Sequence, residues 1–492
     1  RKMKRLAWLA LLLLLAACAA PASERAADVP LPTVAPRETA APAATPAATQ
    51  LAASASPLLL IGWDDALGRV VRAVDPLTGW DAPGYARLPF DDGRDSDFIP
   101  PTAVSADGRR LAIVDAGGQL CYAYAGGETC GPRSSAVYLV DVAAWAIRAV
   151  PLTPDGWVGL LAFSPDGGRL ALSVRDDDGG NTLRLLNATD GTMLATTALP
   201  FTPSQLGFGP DAATLVAYGQ PEGEQLGITP LPPPRVLLLD VATLAPVWTA
   251  TLNEVSSGHW CAAQCDAGHG IMETVSRVPG VLLSPDGERL LIAHADATRL
   301  TTVDLRQRAV ATAAIGRSMT WLERLLAATA DVAHAKGPTD SLARYVALSP
   351  DGARLYLGGY DFDMSADGAG GWTVSETFPP LQVIDPTTGK VLQERDARAY
   401  WLQLTPDGAR LLLRDLSANV IVTDVFDAAT LATVGHIEGQ DVLLARDLAG
   451  GVAFVGQSVR QSQSRFTLFD PLSLAAVAQW SADGPAWVVA MP

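Results

Sequence analysis

The chain has 492 residues, of which 49% are hydrophobic and only 18% are charged, so it can bury a large core. Its formal net charge is -16 at pH 7. An acidic chain is repelled by nucleic-acid backbones and by anionic lipid surfaces, so we expect no nucleic-acid partner.

The first segment combines a basic start with a short apolar run. Arg1, Lys2, Lys4 and Arg5 precede the apolar residues 6–17, an order typical of a signal peptide. A run of about a dozen apolar residues is short for a hydrocarbon core that needs roughly 20, so a transmembrane helix is the less favoured interpretation. We therefore predict an export signal over residues 1–17.

The apolar run ends in Leu15-Ala16-Ala17-Cys18. This sequence resembles the lipobox of bacterial lipoproteins, which implies that Cys18 carries the lipid and begins the mature chain. Ordinary cleavage between small residues is the alternative. Residues 18–56 are rich in Pro, Ala and Thr, which predicts a disordered, extended tether. We expect the protein in the cell envelope, outside the cytoplasm, and held to the membrane through its lipid anchor only.

The four other cysteines fall into two local pairs. Cys121 lies near Cys130, and Cys261 lies near Cys265. Export makes disulfides favourable. Four cysteines allow three patterns of pairing. The local pattern does not require cysteines far apart in the sequence to meet, so we predict these two disulfides.

From residue 57 onward, one four-residue motif recurs. Its copies are Ser105-Ala106-Asp107-Gly108, Ser164-Pro165-Asp166-Gly167, Ser284-Pro285-Asp286-Gly287, Ser349-Pro350-Asp351-Gly352 and Thr405-Pro406-Asp407-Gly408, with degenerate copies at 209–212 and 447–450. Proline at the second position presets φ for a type I turn, aspartate tolerates the third, and glycine accepts the positive φ that follows. Each copy predicts a tight turn between two strands.

Apolar strands flank each turn, and two more strands follow. The third strand ends in an aspartate or asparagine: Asp75, Asp141, Asn187, Asp240, Asp304, Asp385, Asp424 and Asp470. Repeated units of four antiparallel strands are typical of propeller blades. Residues 57–492 therefore predict an all-β propeller of eight blades, with seven as the alternative. Residues 486–490 form a lone last strand, which we expect to complete the first blade and close the ring.

The turns that read S-P-D-G-x-R-L and the strands that end V-D-x-x-T-G resemble the YVTN/YncE-like repeats, which look related to WD-repeat and TolB-type propellers. The resemblance covers residues 58–490. It implies the propeller fold and says little about function, because such propellers include binding scaffolds and several unrelated enzymes.

An arginine two places after the turn glycine begins the second strand in five units. Because the antiparallel third strand ends beside it, we expect structural cross-strand pairs; an ionic recognition ring is the alternative. The expected pairs are Arg110 with Asp141, Arg289 with Asp304, Arg354 with Asp385, and Arg410 with Asp424.

In a unit of four antiparallel strands, successive loops alternate between two faces of the unit. The second-to-third and between-blade loops share one face, which we call the long-loop face because all the long segments fall on it. Long loops on a rigid scaffold usually carry binding. The ligand-binding candidates on this face are Trp157, Trp260, Trp321, Trp401, Asp361, Asp363 and Asp367. Aromatic rings suit a protein or carbohydrate partner, and packing between blades is the alternative for each tryptophan.

Two clusters raise the question of metals. His259, Cys261, Cys265 and His269 allow a zinc site, and acidic loop clusters such as Asp176 to Asp178 allow calcium. Neither has the spacing typical of its metal, so a disulfide and solvated carboxylates are favoured, and we predict no metal and no cofactor. Residues 317–336 predict a helix that begins with a capping box.

The sequence contains no haem-attachment motif, nucleophile elbow, zincin motif or phosphate loop. A membrane-tethered binding or assembly scaffold is therefore the favoured function. An exported propeller enzyme of the lyase, lactonase or dehydrogenase type is the alternative.

Overall fold

The computed structural model describes residues 56–64, 67–89, 101–115, 118–124, 127–176, 179–220, 232–261, 274–316, 341–366, 372–416, 420–446, 452–458 and 463–489. These residues form 35 β-strands and no helix. The export signal, Cys18, the tether up to residue 55 and the helix expected over residues 317–336 lie outside the described residues.

The strands fall in chain order into eight units, each built around a four-stranded sheet, with β6 and β24 as additional strands in units 2 and 6. Unit 1 has β1 (Leu58–Asp64), β2 (Gly68–Val74) and β3 (Asp81–Arg87). Unit 2 has β4 (Thr102–Val104), β5 (Arg110–Val114), β6 (Gly118–Tyr124), β7 (Gly127–Asp141) and the first half of β8 (Ala146–Phe163). Unit 3 has the rest of β8, β9 (Arg169–Arg175), β10 (Asn181–Asn187) and β11 (Met193–Leu199). The long strand β8 thus joins two units into one eight-stranded sheet.

The next units repeat the pattern. Unit 4 has β12 (Thr202–Phe208), β13 (Thr214–Gln220), β14 (Arg235–Asp240) and β15 (Pro246–Thr251). The strands β16 (Gly258–Cys261) and β17 (Thr274–Val278) follow. Unit 5 has β18 (Gly280–Leu283), β19 (Arg289–Ala293), β20 (Arg299–Asp304) and β21 (Ala309–Ala314). Unit 6 has β22 (Ser341–Leu348), β23 (Leu355–Ala366), β24 (Trp372–Thr377), β25 (Leu381–Ile384) and β26 (Val391–Arg395).

The last two units are followed by a strand that pairs with β1 of unit 1. Unit 7 has β27 (Trp401–Leu404), β28 (Arg410–Asp415), β29 (Val422–Asp427) and β30 (Thr433–Glu438). Unit 8 has β31 (Asp441–Arg446), β32 (Val452–Ser458), β33 (Gln463–Phe469) and β34 (Ala476–Asp483). The final strand, β35 (Trp487–Val488), pairs antiparallel with β1, where Leu60 lies opposite Val488. The first sheet therefore has the order β3-β2-β1-β35.

The core lies between the units. Eight hydrophobic clusters of described residues each draw their side chains from two consecutive units. One of them joins Leu58 and Leu60 of unit 1 to Val455 and Phe466 of unit 8. Alternate strand residues point to opposite faces of a sheet, so a sheet that packs on both faces needs apolar residues at successive positions. The strand sequence Arg-Leu-Ala-Leu-Ser-Val-Arg of β9, whose five central residues are all buried, meets that need.

The recurrent turns have the conformation that the sequence predicts. In the second copy, Ser164 Oγ donates to Asp166 Oδ1 at 2.5 Å, and the Arg169 amide donates to Ser164 Oγ at 2.9 Å. The serine is 1% exposed, and Gly167 has φ of 66°. The hydroxyl and the carboxylate thus satisfy backbone groups that the turn would otherwise leave unpaired.

One of the arginine pairings is wrong. Arg110 lies opposite Asp141 and Arg289 lies opposite Asp304, as expected. Arg410, however, lies opposite Asp427 and bonds to it at 3.1 Å, because β29 extends three residues past Asp424. In the sequence, the apolar residues near Asp424 make this residue resemble the end of a strand. In the structure, its carboxyl is half-buried within β29, and burial raises its pKa.

The arginines also connect consecutive units, which the sequence did not suggest. The Arg110 guanidinium donates to the carbonyl of Gly167 in the turn of the next unit. Arg169 donates in the same way to the carbonyl of Ala212, in the degenerate turn of unit 4, at 3.3 Å. Each arginine therefore positions the neighbouring turn, which supports a structural role.

Acid should destabilise the fold through the turn aspartates. Hydrogen bonds from Ser or Thr and from backbone amides lower the pKa of Asp107, Asp166, Asp351 and Asp407 in the folded state. A lowered folded pKa stabilises the fold above the unfolded value of about 3.9, and this contribution is lost as pH falls through the folded pKa. We expect the urea midpoint to fall as the pH is lowered from about 5 to about 3.

The control for this prediction is Asp407→Asn, which should make the acid-induced fall shallower. Two carboxyls act in the opposite direction, because burial raises the pKa of Asp424 and Asp441 and protonation relieves that cost. A urea midpoint that rises on acidification would contradict the prediction and show that these two groups dominate.

Candidate functional site

Three hairpins extend from the long-loop face beyond their four-stranded units. The strands β6 and β7 form the first, β16 and β17 the second, and β23 and β24 the third. The second hairpin attaches to unit 6 through a parallel pairing of β17 with β22, in which Arg277 lies opposite Leu342. Hairpins on this face widen the surface that a partner could contact.

The structure locates some of the predicted binding residues on this face. Trp157 lies on β8 opposite Arg175, and Trp401 begins β27 opposite Arg414; both tryptophans are partly exposed. Asp361 lies on β23 and bonds to Arg344 at 2.7 Å. Trp260 and Asp363 occupy positions on β16 and β23. Trp321 and Asp367 lie outside the described residues.

The cysteine positions are partly described. Cys121 on β6 lies directly opposite Cys130 on β7 in the antiparallel register. Cys261 ends β16, and Cys265 lies outside the described residues. Within the described ranges, no group of three His, Cys, Asp or Glu side chains has the arrangement of a metal site.

Four aromatic side chains that the sequence did not single out meet between units 6 and 7. We call Tyr345, Tyr360, Phe378 and Tyr400 the aromatic cluster. The ring centroids of Tyr360 and Tyr400 are 5.0 Å apart, those of Phe378 and Tyr400 are 5.1 Å apart, and those of Tyr345 and Tyr360 are 6.3 Å apart. All four residues are partly exposed. Such offset and edge-on contacts hold the rings in fixed positions.

Local backbone geometry brings the rings together. Tyr360 follows Gly358 and Gly359 on β23, and a Cβ at Gly359 would lie 2.1 Å from the carbonyl oxygen of Ala343 on β22. Glycine at this position lets the two strands approach closely enough to present Tyr360 at the end of the unit. Tyr400 immediately precedes β27, so the chain delivers it to the same face from unit 7.

Arginines of units 6 and 7 form two ion pairs. Arg344 pairs with Asp361, and the two side chains are only 12% and 15% exposed. Arg414 lies 5.0 Å from the centre of the Trp401 ring and pairs with Asp441 of unit 8. Burial raises the pKa of Asp441, and the charge of Arg414 opposes that shift. Asp361 and Trp401, both candidates from the sequence, directly follow the cluster residues Tyr360 and Tyr400 in the chain.

The hydroxyl groups of Tyr345 and Tyr400 stay protonated at neutral pH. Burial, with the nearby Tyr360, raises the pKa of Tyr345 to about 12. Burial and the Glu376 carboxylate, which accepts a hydrogen bond from the Tyr400 hydroxyl, also raise the pKa of Tyr400. Arg398 lies 5.4 Å from the centre of the Phe378 ring. The site thus offers ring surfaces, hydroxyl donors and neutralised charges, which suit recognition.

The sequence matches no protein-family model and no curated protein. Among solved structures, the chain is similar to dihydro-heme d1 dehydrogenase NirN in complex with DHE, at 15% identity and a TM-score of 0.49, over 88% of this chain and 75% of that one. It is similar to Kuenenia stuttgartiensis hydrazine synthase at 14% identity and 0.42, over 75% of this chain and 95% of that one.

A third solved structure with this similarity is the β-propeller domain of Myceliophteria thermophila Cps50 (Swd1), at 13% identity and a TM-score of 0.38, over 72% of this chain and 94% of that one. At these identities the similarity concerns the fold alone. The described chain is an all-β protein with many four-stranded antiparallel sheets, an arrangement consistent with a β-propeller. The described ranges contain no helix long and apolar enough to span a membrane.

Proposed function

We propose that this protein is a binding or assembly scaffold that recognises a protein or carbohydrate partner on its long-loop face. The observation that carries the proposal is the aromatic cluster, in which four partly exposed rings of units 6 and 7 meet. Binding hot spots are typically aromatic or arginine side chains that surrounding contacts hold in place. Ordered rings also lose little conformational entropy when a partner binds.

We propose further that the eight units are the blades of a closed propeller. The pairing of β35 with β1 and the hydrophobic cluster shared by units 8 and 1 support closure. A closed ring leaves fewer exposed strand edges and gives the long-loop face a rigid support.

The proposed location is the outer side of a membrane, with Cys18 as the lipid-bearing residue and residues 18–56 as the tether. The lipobox-like sequence before Cys18 supports this assignment. We also propose a disulfide between Cys121 and Cys130, which the register of β6 and β7 favours by placing the two positions opposite each other. Cys261 and Cys265 are the second proposed disulfide.

The test of the scaffold proposal is a double substitution in the aromatic cluster. Tyr360→Ala with Tyr400→Ala removes two adjoining rings, and truncation of a hot-spot residue costs about 2 kcal/mol or more, roughly a 30-fold loss of affinity. The full-length protein, immobilised and exposed to solubilised cell envelopes, should capture a partner that the double variant does not retain.

Tyr85→Ala is the matched control, because Tyr85 is 56% exposed on the outer strand of unit 1. This variant should capture the partner as the wild type does, and all three proteins should have similar melting temperatures. Equal capture by the wild type and the double variant would refute the proposed site.

A further inference from the structure

A cleft lies between units 4 and 5, on different units from the aromatic cluster. Its volume is about 590 Å³, within the range of roughly 300–1,000 Å³ typical of small-molecule sites. The loop that follows β15 forms one wall, and β20 and β21 form the other. The lining residues on which the argument rests are Glu254, Arg299, Thr301, Val310 and Thr312.

A chain of hydrogen bonds runs from this cleft into the core of unit 5. Thr312 is exposed on β21, and its Oγ1 lies 3.0 Å from Oγ1 of Thr301 on β20. Thr301 Oγ1 in turn lies 2.8 Å from Nε2 of His294. Thr301 is 1% exposed and His294 is 2% exposed. A buried imidazole is thereby connected to a hydroxyl group in the cleft wall.

The other nitrogen of this imidazole has no hydrogen-bond partner among the described residues. Burial lowers the pKa of His294, and the nearby Arg299 lowers it too, while Asp296 and Glu254 raise it. The neutral imidazole therefore predominates at neutral pH. A neutral imidazole has one donor nitrogen and one acceptor nitrogen, and either nitrogen can carry the proton.

The tautomer of His294 sets the donor of each hydrogen bond between His294, Thr301 and Thr312. When Nε2 carries the proton, it donates to Thr301, Thr301 donates to Thr312, and Thr312 has its own proton available for a ligand in the cleft. When Nδ1 carries the proton, each donor reverses, and Thr312 presents an acceptor to the cleft. The wall can thus adapt to a group that both donates and accepts, and a ligand hydroxyl is such a group.

The rest of the cleft favours a ligand without net charge. Arg299 and Glu254 form an ion pair at 3.5 Å, and their side chains are 53% and 60% exposed. This pair adds no net charge to the cleft. Val310, 44% exposed, offers an apolar surface beside the hydroxyls. Sugars combine hydroxyl groups with apolar C–H surfaces, which matches this mixed lining.

We propose that the cleft between units 4 and 5 binds a small, neutral, polyhydroxylated molecule of the saccharide class, with Thr312 as its contact and His294 as the residue that sets the direction of the hydrogen-bond chain. This site is distinct from the aromatic cluster, so it stands or falls independently of the proposed scaffold function.

The test uses the full-length protein with ¹⁵N-labelled histidine, and D-glucose and maltose as probes at about 10 mM, well above a millimolar Kd. At least one of the two sugars should shift the imidazole ¹⁵N resonances of His294, which also report its tautomer. Thr312→Val keeps the shape of the side chain but removes the hydroxyl, so affinity should fall about three- to tenfold. Thr312→Ser should restore it.

Thr196→Val is the matched control, because Thr196 is an exposed threonine on β11, the outer strand of unit 3. It should leave binding unchanged. The proposal is wrong if neither sugar shifts the His294 resonances, if Thr312→Val binds as tightly as the wild type, or if gluconate binds more tightly than glucose, which would indicate an anion site at Arg299.

Discussion

Replacing Trp487 with alanine is expected to lower the free energy of unfolding by about 3–5 kcal/mol, the usual cost of truncating a buried aromatic residue. Trp487 is 3% exposed and packs in the cluster that units 1 and 2 share. It also lies on β35, the strand that pairs with β1. The substitution therefore weakens the core and the junction between the two ends of the chain at once.

The loss should be at the upper end of this range because of Arg69. Arg69 is fully buried, and its guanidinium lies 5.0 Å from the Trp487 ring and 5.9 Å from the Trp63 ring. It also donates to the carbonyl of Pro485 at 3.4 Å. A desolvated cation over an aromatic ring is stabilised by about 2 kcal/mol, and the substitution removes the nearer ring.

The measurement is equilibrium unfolding in urea, with Trp80→Ala as the matched control. Trp80 belongs to the same unit but is 79% exposed, so its loss should change stability by no more than about 0.5 kcal/mol. If β35 detaches, the free edge of β1 should also promote self-association, which light scattering would detect. Equal stabilities of the two variants would show that β35 does not hold the ends together.

Replacing Cys18 with serine is expected to abolish attachment of fatty acid to the protein. A serine hydroxyl cannot form the thioether that a lipobox cysteine forms, and each buried CH₂ of an acyl chain contributes about 0.8 kcal/mol to membrane binding. The wild type should incorporate a labelled fatty acid and sediment with the membranes. The variant should incorporate none and keep the mass of the uncleaved chain.

Cys121→Ser is the control, because it removes a different cysteine and should keep the fatty-acid label. A wild-type protein that carries no label and is released in soluble form would contradict the lipid anchor. That result would instead favour ordinary cleavage between small residues near position 18.

The sequence alone was sufficient for the features that depend on neighbouring residues. A turn such as Ser349 to Gly352 is held by local hydrogen bonds, which join Ser349 to Asp351 and to Arg354 within six positions. Glycine is favoured where φ is positive, as at Gly352 with φ of 68°. Such constraints are visible as a motif, which is why the all-β fold of repeated strands could be predicted.

Strand ends were harder to predict, as Asp424 shows. The sequence Val-Thr-Asp-Val-Phe-Asp contains two aspartates of similar local character, and only the register with β28 shows that Asp427 lies opposite Arg410. A shift of register exchanges partners without changing the local pattern. Local residues therefore identify the strand but do not fix its last residue.

By itself, the sequence determined the repeated turns, the apolar strands and the presence of Asp361 and Trp401 on the long-loop face. Only the tertiary structure decided which side chains meet there. Tyr360 and Tyr400 belong to different units, and the hydroxyl chain from Thr312 to His294 crosses three strands. Contacts between units depend on how whole sheets pack. Residues that meet through sheet packing have no fixed spacing in the sequence, so these partners could not be predicted from it.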